Sequence, residues 1–273
     1  MKIALAQINP TVAAFEKNVE TITSAIEKAR GLGADLAVFP EMAVIGSPAK
    51  DLLEKPMLVQ DNLEALEKIS LKTKDMAAIV GFADRNHAKE AKALYNAAAF
   101  INNERIESIH HKFLLSTYDV FDEHRYFESD PAVSTIWFKG RNIGITIGEE
   151  FLKDTGPVKT LISQGARLII NITASPYSLD EYKTRLQVLS ERAATYNIDL
   201  VHVNHVGGND ALVYAGRSCV IDHWGRLVAK AQDFEEDLVI VDLKGPLAEL
   251  PPENSEPIES VYKALVLGLR DYA

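Results

Sequence analysis

The chain has 273 residues, of which 47% are hydrophobic, and a formal net charge of -10 at pH 7. This length and hydrophobic content suit one large domain with an extensive buried core. The negative charge argues against nucleic acids and anionic membranes as partners. The single cysteine excludes an internal disulfide and any thiolate-rich metal site.

The N-terminus reads directly as a strand, Met1-Lys2-Ile3-Ala4-Leu5, and not as a secretion signal. The longest apolar runs have the length of strands, so none of them suits a membrane-spanning helix. From these features we expect a cytoplasmic protein that does not associate with a membrane.

Hydrophobic periodicity predicts alternating strands and helices with several inserted hairpins. Two layers of sheet enclosed by two layers of helix would bury the apolar faces of all these elements, so we predict an α/β fold of αββα type. The predicted strands are 2–9, 36–39, 76–82, 93–101, 105–112, 132–138, 141–147, 167–171, 199–206, 212–214, 217–222, 226–231 and 238–242. The predicted helices are 15–30, 58–74, 157–164 and 179–196.

The C-terminal part differs from the rest, and we divide the chain into a domain at 1–250 and an extension at 251–273. A breaker, Pro251-Pro252-Glu253-Asn254, opens the extension. A helix with an apolar stripe is predicted beyond it, and a stripe of this size is expected to dock on its own domain or on another. The stripe consists of Ile258, Val261, Tyr262, Leu265, Leu269 and Tyr272.

A strand that ends abruptly before a helix is where an α/β protein exposes a catalytic side chain. The strand at 141–147 ends in this way, at Gly148-Glu149-Glu150. Three charged residues, Glu41, Lys112 and Glu123, lie at the ends of strands or in the long loop at 113–130. A carboxylate base, a lysine that stabilises an oxyanion and a nucleophile at such a corner would cleave amides. Taken singly, a charged residue at a strand end is usually only solvated.

Several segments, in this order along the chain, resemble the nitrilase (carbon–nitrogen hydrolase) superfamily. The resemblance covers essentially the whole chain and is strongest to the glutaminase domains of glutamine-dependent NAD synthetases. The helix from Val261 to Tyr272 also resembles the segment that opens the synthetase domain there. The matching segments are Phe39-Pro40-Glu41, 94–98, 111–115, Tyr118 with 120–127, 171–176, and 203–204 with 206–208.

This resemblance implies an αββα sandwich, a symmetric dimer or a higher even-numbered assembly, and catalysis without a metal or organic cofactor. It places Glu41 at the position of the base, Lys112 at that of the oxyanion lysine and Glu123 at that of a second glutamate. It also implies that the helix after the corner and the helix at 179–196 pair the subunits.

The same resemblance assigns Tyr118, Glu149 and Ser175 to the substrate-binding site, which would accept a small amide or carboxylate ligand. It places Gly148 where the family has its nucleophilic cysteine. A separately encoded synthetase domain is a further expected partner. Other departures surround the expected substrate pocket: Ser116, Thr117, Asp119, Glu181, His205, Ala211, Ala215 and Arg217.

Alternative reactive groups are weak candidates. The only thiol, Cys219, lies inside a predicted strand and reads as a buried apolar residue. Ser175 lacks the Gly-x-Ser-x-Gly elbow of serine hydrolases. His202 and His205 are three residues apart on a strand and therefore point to opposite faces, which argues against a histidine metal site.

Three functional hypotheses follow. The first is a nitrilase-fold protein without glutaminase activity that binds a ligand or a partner. The second is a carbon–nitrogen hydrolase, a glutaminase supplying ammonia for NAD synthesis, whose nucleophile has been substituted. The third is a hydrolase that uses water on an activated substrate.

Overall fold

The computed structural model describes residues 1–88, 91–118, 121–179, 181–251 and 257–273. Parts of three sequence predictions lie outside these residues: Asp119 in the loop, Val120 in the family motif and the breaker residues 252–254. The side chain of Glu181 is also outside the description. Among the described residues, no helix has both the length and the apolar character needed to cross a bilayer.

The described residues form fourteen strands, six α-helices and two 3-10 turns. The strands are β1 (Lys2–Gln7), β2 (Leu36–Val38), β3 (Ala77–Arg85), β4 (Leu94–Asn102), β5 (Arg105–His111), β6 (Thr135–Phe138), β7 (Arg141–Ile147), β8 (Leu168–Thr173), β9 (Asp199–Asn204), β10 (Val206–Asn209), β11 (Leu212–Ala215), β12 (Cys219–Ile221), β13 (Leu227–Lys230) and β14 (Asp237–Asp242). The helices are α1 (Phe15–Gly31), α2 (Pro56–Ser70), α3 (Glu123–Tyr126), α4 (Val158–Ser163), α5 (Glu181–Tyr196) and α6 (Pro257–Tyr272). The 3-10 turns are Lys50–Glu54 and Gly148–Phe151.

Two six-stranded sheets form the centre of the protein. Their strand orders are β14-β1-β2-β3-β4-β5 and β13-β12-β9-β8-β7-β6. The sheets face each other through a core of branched aliphatic side chains, which includes Leu5 and Val38 from the first sheet. Ile143, Ile145 and Ile147 of β7 enter the same core from the second sheet, because alternate residues of a strand share one face.

Helices cover the outer face of each sheet. Ile22 and Ile26 of α1 and Leu66 of α2 lie against the first sheet. Leu161 of α4 and Leu189 of α5 lie against the second. The layer order is therefore αββα, which confirms the predicted fold class.

The predicted strand at 199–206 is interrupted at residue 205, next to the candidate site. Its first part, β9, belongs to the second sheet, whereas β10 pairs with β11 in a separate two-stranded sheet. His205 lies at the break, where its ring contacts the backbone of Glu41. The chain leaves the second sheet at this residue, whose side chain faces the other half of the sandwich.

The loop predicted at 113–130 also contains a short helix, α3, that begins at Glu123. The terminal helix α6 packs on β10 and β11 of its own domain. Its docking face, however, is not the predicted apolar stripe. Ser260, Ala264 and Leu267 are the buried residues of α6, and most of the stripe is exposed.

Candidate active site

Lys112 is the centre of a buried charged cluster between the two sheets. It follows the end of β5, and only 2% of its surface is exposed. Its Nζ atom donates hydrogen bonds to Glu41 Oε1 at 2.7 Å and to Glu123 Oε1 at 2.8 Å. Burial alone lowers the pKa of an ammonium, but Glu123 and Glu41 outweigh this effect and hold the pKa of Lys112 above its usual range.

Glu41 is held by contacts from both sheets. It follows Phe39-Pro40 at the end of β2, and its Oε2 accepts a hydrogen bond from the backbone N–H of Ala174 at 2.9 Å. His205 Nε2 donates to the Glu41 carbonyl oxygen at 2.5 Å. Burial lowers the pKa of His205 to about 4, so the ring is neutral and Nε2 carries the proton in this contact. These contacts fix both the backbone and the carboxylate of Glu41.

Asn96 links the two carboxylates and was not singled out as a site residue from the sequence. Its Nδ2 donates to Glu41 Oε1 at 2.7 Å and to Glu123 Oε1 at 2.9 Å. The other oxygen of Glu123 accepts from the backbone N–H of Ser116 at 2.7 Å. A polar amide in the otherwise apolar run of β4 was the available sequence signal for Asn96.

Gly148 begins the 3-10 turn after β7 and has a positive φ of 63°, a conformation that favours glycine. A Cβ atom built there would lie 2.5 Å from Lys112 Nζ and 3.4 Å from Glu41 Oε1. The structure therefore brings Glu41, Lys112, Glu123 and Gly148 together. The end of Lys112 occupies the place where a side chain at position 148 would start.

Glu150 fastens this corner to the segment after Lys112. Its Oε2 accepts from the backbone N–H of Ile147 at 2.7 Å, and its Oε1 accepts from those of Phe113 at 2.5 Å and Leu114 at 3.1 Å. Burial raises the pKa of Glu150 to about 7, although the backbone N–H groups and Lys112 favour its ionised form. The sequence did not indicate this role of Glu150, because carboxylates that follow a strand are usually solvated.

His111, the residue before Lys112, contacts two aspartates. Its Nδ1 lies 2.9 Å from Asp130 and its Nε2 lies 2.9 Å from Asp84. Burial acts to lower the pKa of His111, but the two aspartates outweigh it, so the pKa is raised. The contacts of the ring with both aspartates join β3 and β5 to the end of the long loop. The ring also stacks on Tyr95.

The three residues assigned to substrate binding lie beside this cluster. The Tyr118 hydroxyl donates to Glu149 Oε1, and Glu149 Oε2 lies 3.7 Å from Lys153 Nζ. Ser175 Oγ lies 2.6 Å from Thr173 Oγ1. Glu149 thus contacts Tyr118 and Lys153 on the outer side of the corner, and Ser175 directly follows the residue that binds Glu41.

A cavity of about 320 Å³ opens beside the carboxylates of Glu41 and Glu123. Its size lies within the range of small-molecule sites. Glu41, Asn96 and Glu123 form part of its wall, and apolar side chains such as Phe121 and Phe127 form another part. Tyr118, Glu149 and Ser175 are not part of its lining. At the rim, Lys50 pairs with Asp210 and Arg125 pairs with Asp51.

The only cysteine of the chain is Cys219, and position 148 carries no side chain. Cys219 lies in β12 and is 1% exposed, as predicted for a buried apolar residue. Burial raises the pKa of its thiol to about 12, so it is not ionised at neutral pH. Within the described ranges, no group of three or more acidic, histidine or cysteine side chains could hold a metal ion. The cluster brings two carboxylates and a buried cation to the corner at Gly148.

The Glu150 carboxylate is expected to make folding stability depend on pH. Its folded-state pKa of about 7 lies above the usual glutamate value of 4.5, so between these pH values the folded protein holds a proton that the unfolded chain has released. Stability from this group is present below pH 4.5 and declines as the pH rises through 7. Glu150→Gln removes this titration. Between pH 5 and pH 8 the free energy of unfolding of the wild type should therefore fall by about 1 to 3 kcal/mol relative to that of the variant.

Urea unfolding at both pH values measures this difference. Glu20→Gln, an exposed change on α1, is the matched control and should give the same difference from wild type at both pH values. A Glu150→Gln difference that also stays constant with pH would contradict the assignment of a shifted carboxyl to Glu150.

Comparison with known proteins places these features in context. The family described as carbon-nitrogen hydrolase matches residues 2–250. The chain is 38% identical to the glutamine-dependent NAD(+) synthetase of Synechocystis, over 99% of this chain and 52% of that protein. It is 31% identical to the corresponding enzyme of Thermotoga maritima, over 100% of this chain and 53% of that protein. The chain thus spans about half the length of the curated relatives it matches.

Solved structures agree with the fold. The glutamine-dependent NAD+ synthetase of Acinetobacter baumannii, solved with ADP, superposes with a TM-score of 0.92 at 32% identity, over 99% of this chain and 51% of that chain. An amidase of the nitrilase superfamily from Nesterenkonia superposes with a TM-score of 0.79 at 21% identity, over 89% of this chain and 90% of that chain. The second likeness supports the αββα architecture alone.

Proposed function

Because the chain belongs to the carbon–nitrogen hydrolase family, we propose that it is a nitrilase-fold protein of the NAD synthetase glutaminase type that lacks glutaminase activity. Its role is then to bind a small ligand or to take part in an assembly. The observation that carries this proposal is the corner at Gly148, where the end of Lys112 lies in the space that a nucleophilic side chain would need.

In this proposal the other members of the cluster keep positions suited to amide hydrolysis. Glu41 stands where a base could take a proton from a group at position 148, since its Oε1 is 3.4 Å from a Cβ built there. Lys112 carries the positive charge that would stabilise an oxyanion. Glu123 lies next to the same charge, since its Oε1 accepts a hydrogen bond from Lys112 Nζ. The neutral amide of Asn96 donates a second hydrogen bond to this oxygen.

Loss of the nucleophile removes the covalent route, in which an acyl-enzyme divides a difficult hydrolysis into two easier steps. In a serine protease, loss of the nucleophile lowers turnover on the order of 10⁶-fold. A water molecule acting instead would need the space that Lys112 occupies. It would also compete for Glu41 Oε1, which already accepts hydrogen bonds from Lys112 and Asn96.

A binding role fits the cavity beside Glu41 and Glu123. Its volume of about 320 Å³ suits a small amide or carboxylate compound. An assembly role is supported by the similarity to proteins named glutamine-dependent NAD(+) synthetases, of whose length this chain spans about half. The proposed partner in that role is a separately encoded synthetase domain.

The main alternative is an active carbon–nitrogen hydrolase, a glutaminase that supplies ammonia for NAD synthesis, in which position 148 has been substituted. The contact of 2.7 Å between Lys112 Nζ and Glu41 Oε1 favours this alternative. Reading codon 148 of the source gene separates the two: a cysteine codon supports the alternative, and a glycine codon supports the proposed loss of activity.

Purified protein is expected to release ammonia from glutamine at the background rate, because no nucleophile stands at the corner. A coupled ammonia assay at micromolar protein measures this, with Glu41→Gln as the matched variant. The wild type and the variant should be indistinguishable. Glutamine hydrolysis well above background that disappears in Glu41→Gln would overturn the proposal and favour water as the attacking group.

A further inference from the structure

The cavity beside Glu41 and Glu123 has a buried end and an exposed rim. Glu41 and Asn96 are 5% and 1% exposed, and they form the buried end together with Glu123. Lys112 pairs with both glutamates but is not among the described residues that line the cavity. A molecule in the cavity therefore meets the two carboxylates before it meets the ammonium behind them.

Formal charges make the cavity negative. The carboxylates of Glu41 and Glu123 and the ammonium of Lys112 leave one net negative charge at the buried end. The described lining adds two acidic and two basic residues at the rim. Both rim cations, Lys50 and Arg125, already contact carboxylates. A cleft whose free charges have one sign attracts ligands of the opposite sign, so the cavity favours a positively charged ligand.

The hydrogen-bonding groups at the buried end call for a ligand that donates. Asn96 uses its Nδ2 for the two glutamates, and its buried Oδ1 has no hydrogen-bond partner within the described ranges. Buried polar atoms are normally paired, so this oxygen is an acceptor that a ligand can satisfy. The Oε2 atoms of Glu41 and Glu123 accept from the backbone N–H groups of Ala174 and Ser116, and an ionised carboxylate oxygen can accept a second hydrogen bond.

Aromatic side chains form the wall beside these acceptors. Phe121, Tyr126 and Phe127 belong to the lining together with the two glutamates. The face of an aromatic ring attracts a cation, and the apolar surface of the rings suits an alkyl chain. The wall therefore accommodates both parts of an alkylammonium compound.

We infer that the buried end of this cavity binds a small primary ammonium compound, whose charged N–H groups meet Glu41, Glu123 and Asn96 while its alkyl chain lies along the aromatic residues. This inference rests on the proposed binding role and specifies the charge of the ligand. A ligand that also carries an amide or a carboxylate places that group toward the rim, beside Lys50 and Arg125.

Three probes with the same number of carbon atoms test the charge of the ligand: n-pentylammonium, valeramide and valerate. Ligand-observed NMR at pH 7 and millimolar probe concentration measures a dissociation constant for each. Pentylammonium is expected to bind at least tenfold more tightly than either of the others. The physical reason is that valeramide lacks the positive charge and that the carboxylates of Glu41 and Glu123 repel valerate.

Variants of the cavity locate the bound probe. Glu123→Gln removes one carboxylate of the buried end and should weaken pentylammonium binding at least tenfold. Asp122→Asn, at the exposed rim, should weaken it about threefold, because salt and solvent screen an exposed charge. Glu20→Gln, on the exposed face of α1, is the matched control and should bind the probe like the wild type. Urea midpoints verify that the variants fold, and the exposed Asp122→Asn keeps the test decisive if Glu123→Gln does not.

Three outcomes would overturn the inference: no pentylammonium binding at millimolar concentration, valeramide or valerate binding at least as tightly as pentylammonium, or pentylammonium binding that the variants leave unchanged. Binding of valeramide or valerate alone would overturn the inference but leave the proposed binding role in place. The loss of glutaminase activity is decided separately by the ammonia assay, so a failure of the proposed function and a failure of this inference are distinguishable.

Discussion

Gly148→Cys is expected to create a thiol that iodoacetamide alkylates on the order of 10²-fold faster than Cys219 in the folded protein, since a thiolate reacts and a buried neutral thiol does not. The Lys112 ammonium lies next to position 148 and favours the thiolate. Intact-protein mass spectrometry after timed alkylation measures the rate. Thiol reactivity is the chosen readout because turnover also depends on the substrate pocket.

The substitution carries a structural cost that the experiment must separate from reactivity. A built Cβ at position 148 lies 2.5 Å from Lys112 Nζ, so the flexible end of Lys112 has to move. The positive φ of Gly148 adds roughly 1 to 2 kcal/mol for any residue with a side chain. Gly148→Ala has the same backbone strain without a thiol and is the matched control for stability.

A second variant assigns the reactivity to Lys112. Combining Gly148→Cys with Lys112→Met should slow alkylation at least tenfold, because the neighbouring carboxylates then disfavour the thiolate. An introduced thiol that reacts no faster than Cys219, or equally fast with and without Lys112, would show that the ammonium does not face position 148.

Lys112→Met is expected to lower the free energy of unfolding by about 3 to 5 kcal/mol at pH 7.5, because removing one member of a buried ion pair leaves uncompensated charge. Glu41 and Glu123 lose the donor that lies 2.7 Å and 2.8 Å from their Oε1 atoms. Urea unfolding at pH 7.5 measures the loss.

Two comparisons make this prediction specific to the buried cluster. Lys153→Met breaks an ion pair whose lysine side chain is 49% exposed, so it should cost less than about 1 kcal/mol. Adding Glu41→Gln and Glu123→Gln to Lys112→Met removes the uncompensated charges and should recover most of the lost stability. If the triple variant is no more stable than Lys112→Met, lost packing rather than charge explains the result.

The αββα architecture and the position of the corner were accessible from the sequence because both depend on local patterns. The alternating isoleucines of β7 predict a strand with one face in the core, and Gly148-Glu149-Glu150 marks where it ends. Side-chain alternation and helical spacing are properties of a few consecutive residues. The resemblance to the carbon–nitrogen hydrolases then joined Glu41, Lys112 and Glu123 into one hypothesis.

The partners of those residues were decided only by the tertiary structure. Asn96 binds Glu41 across 55 positions of sequence, and His205 binds its carbonyl across 164. Local spacing carries no information about such pairs. The strands of the first sheet must assemble before Asn96 meets Glu41, and the two sheets must pack face to face before His205 does. Glu150 likewise became a buried acceptor because the segment after Lys112 turns its backbone N–H groups toward the corner.

The terminal helix shows the same division. Its sequence alone determined an apolar stripe at helical spacing, because that pattern follows from 3.6 residues per turn. Which face docks was decided by close approach: the backbone of α6 comes so near Gly208 that small residues are needed there. The bulky face was therefore left outside, and the packing of the domain placed Tyr262 and Leu265 on the surface.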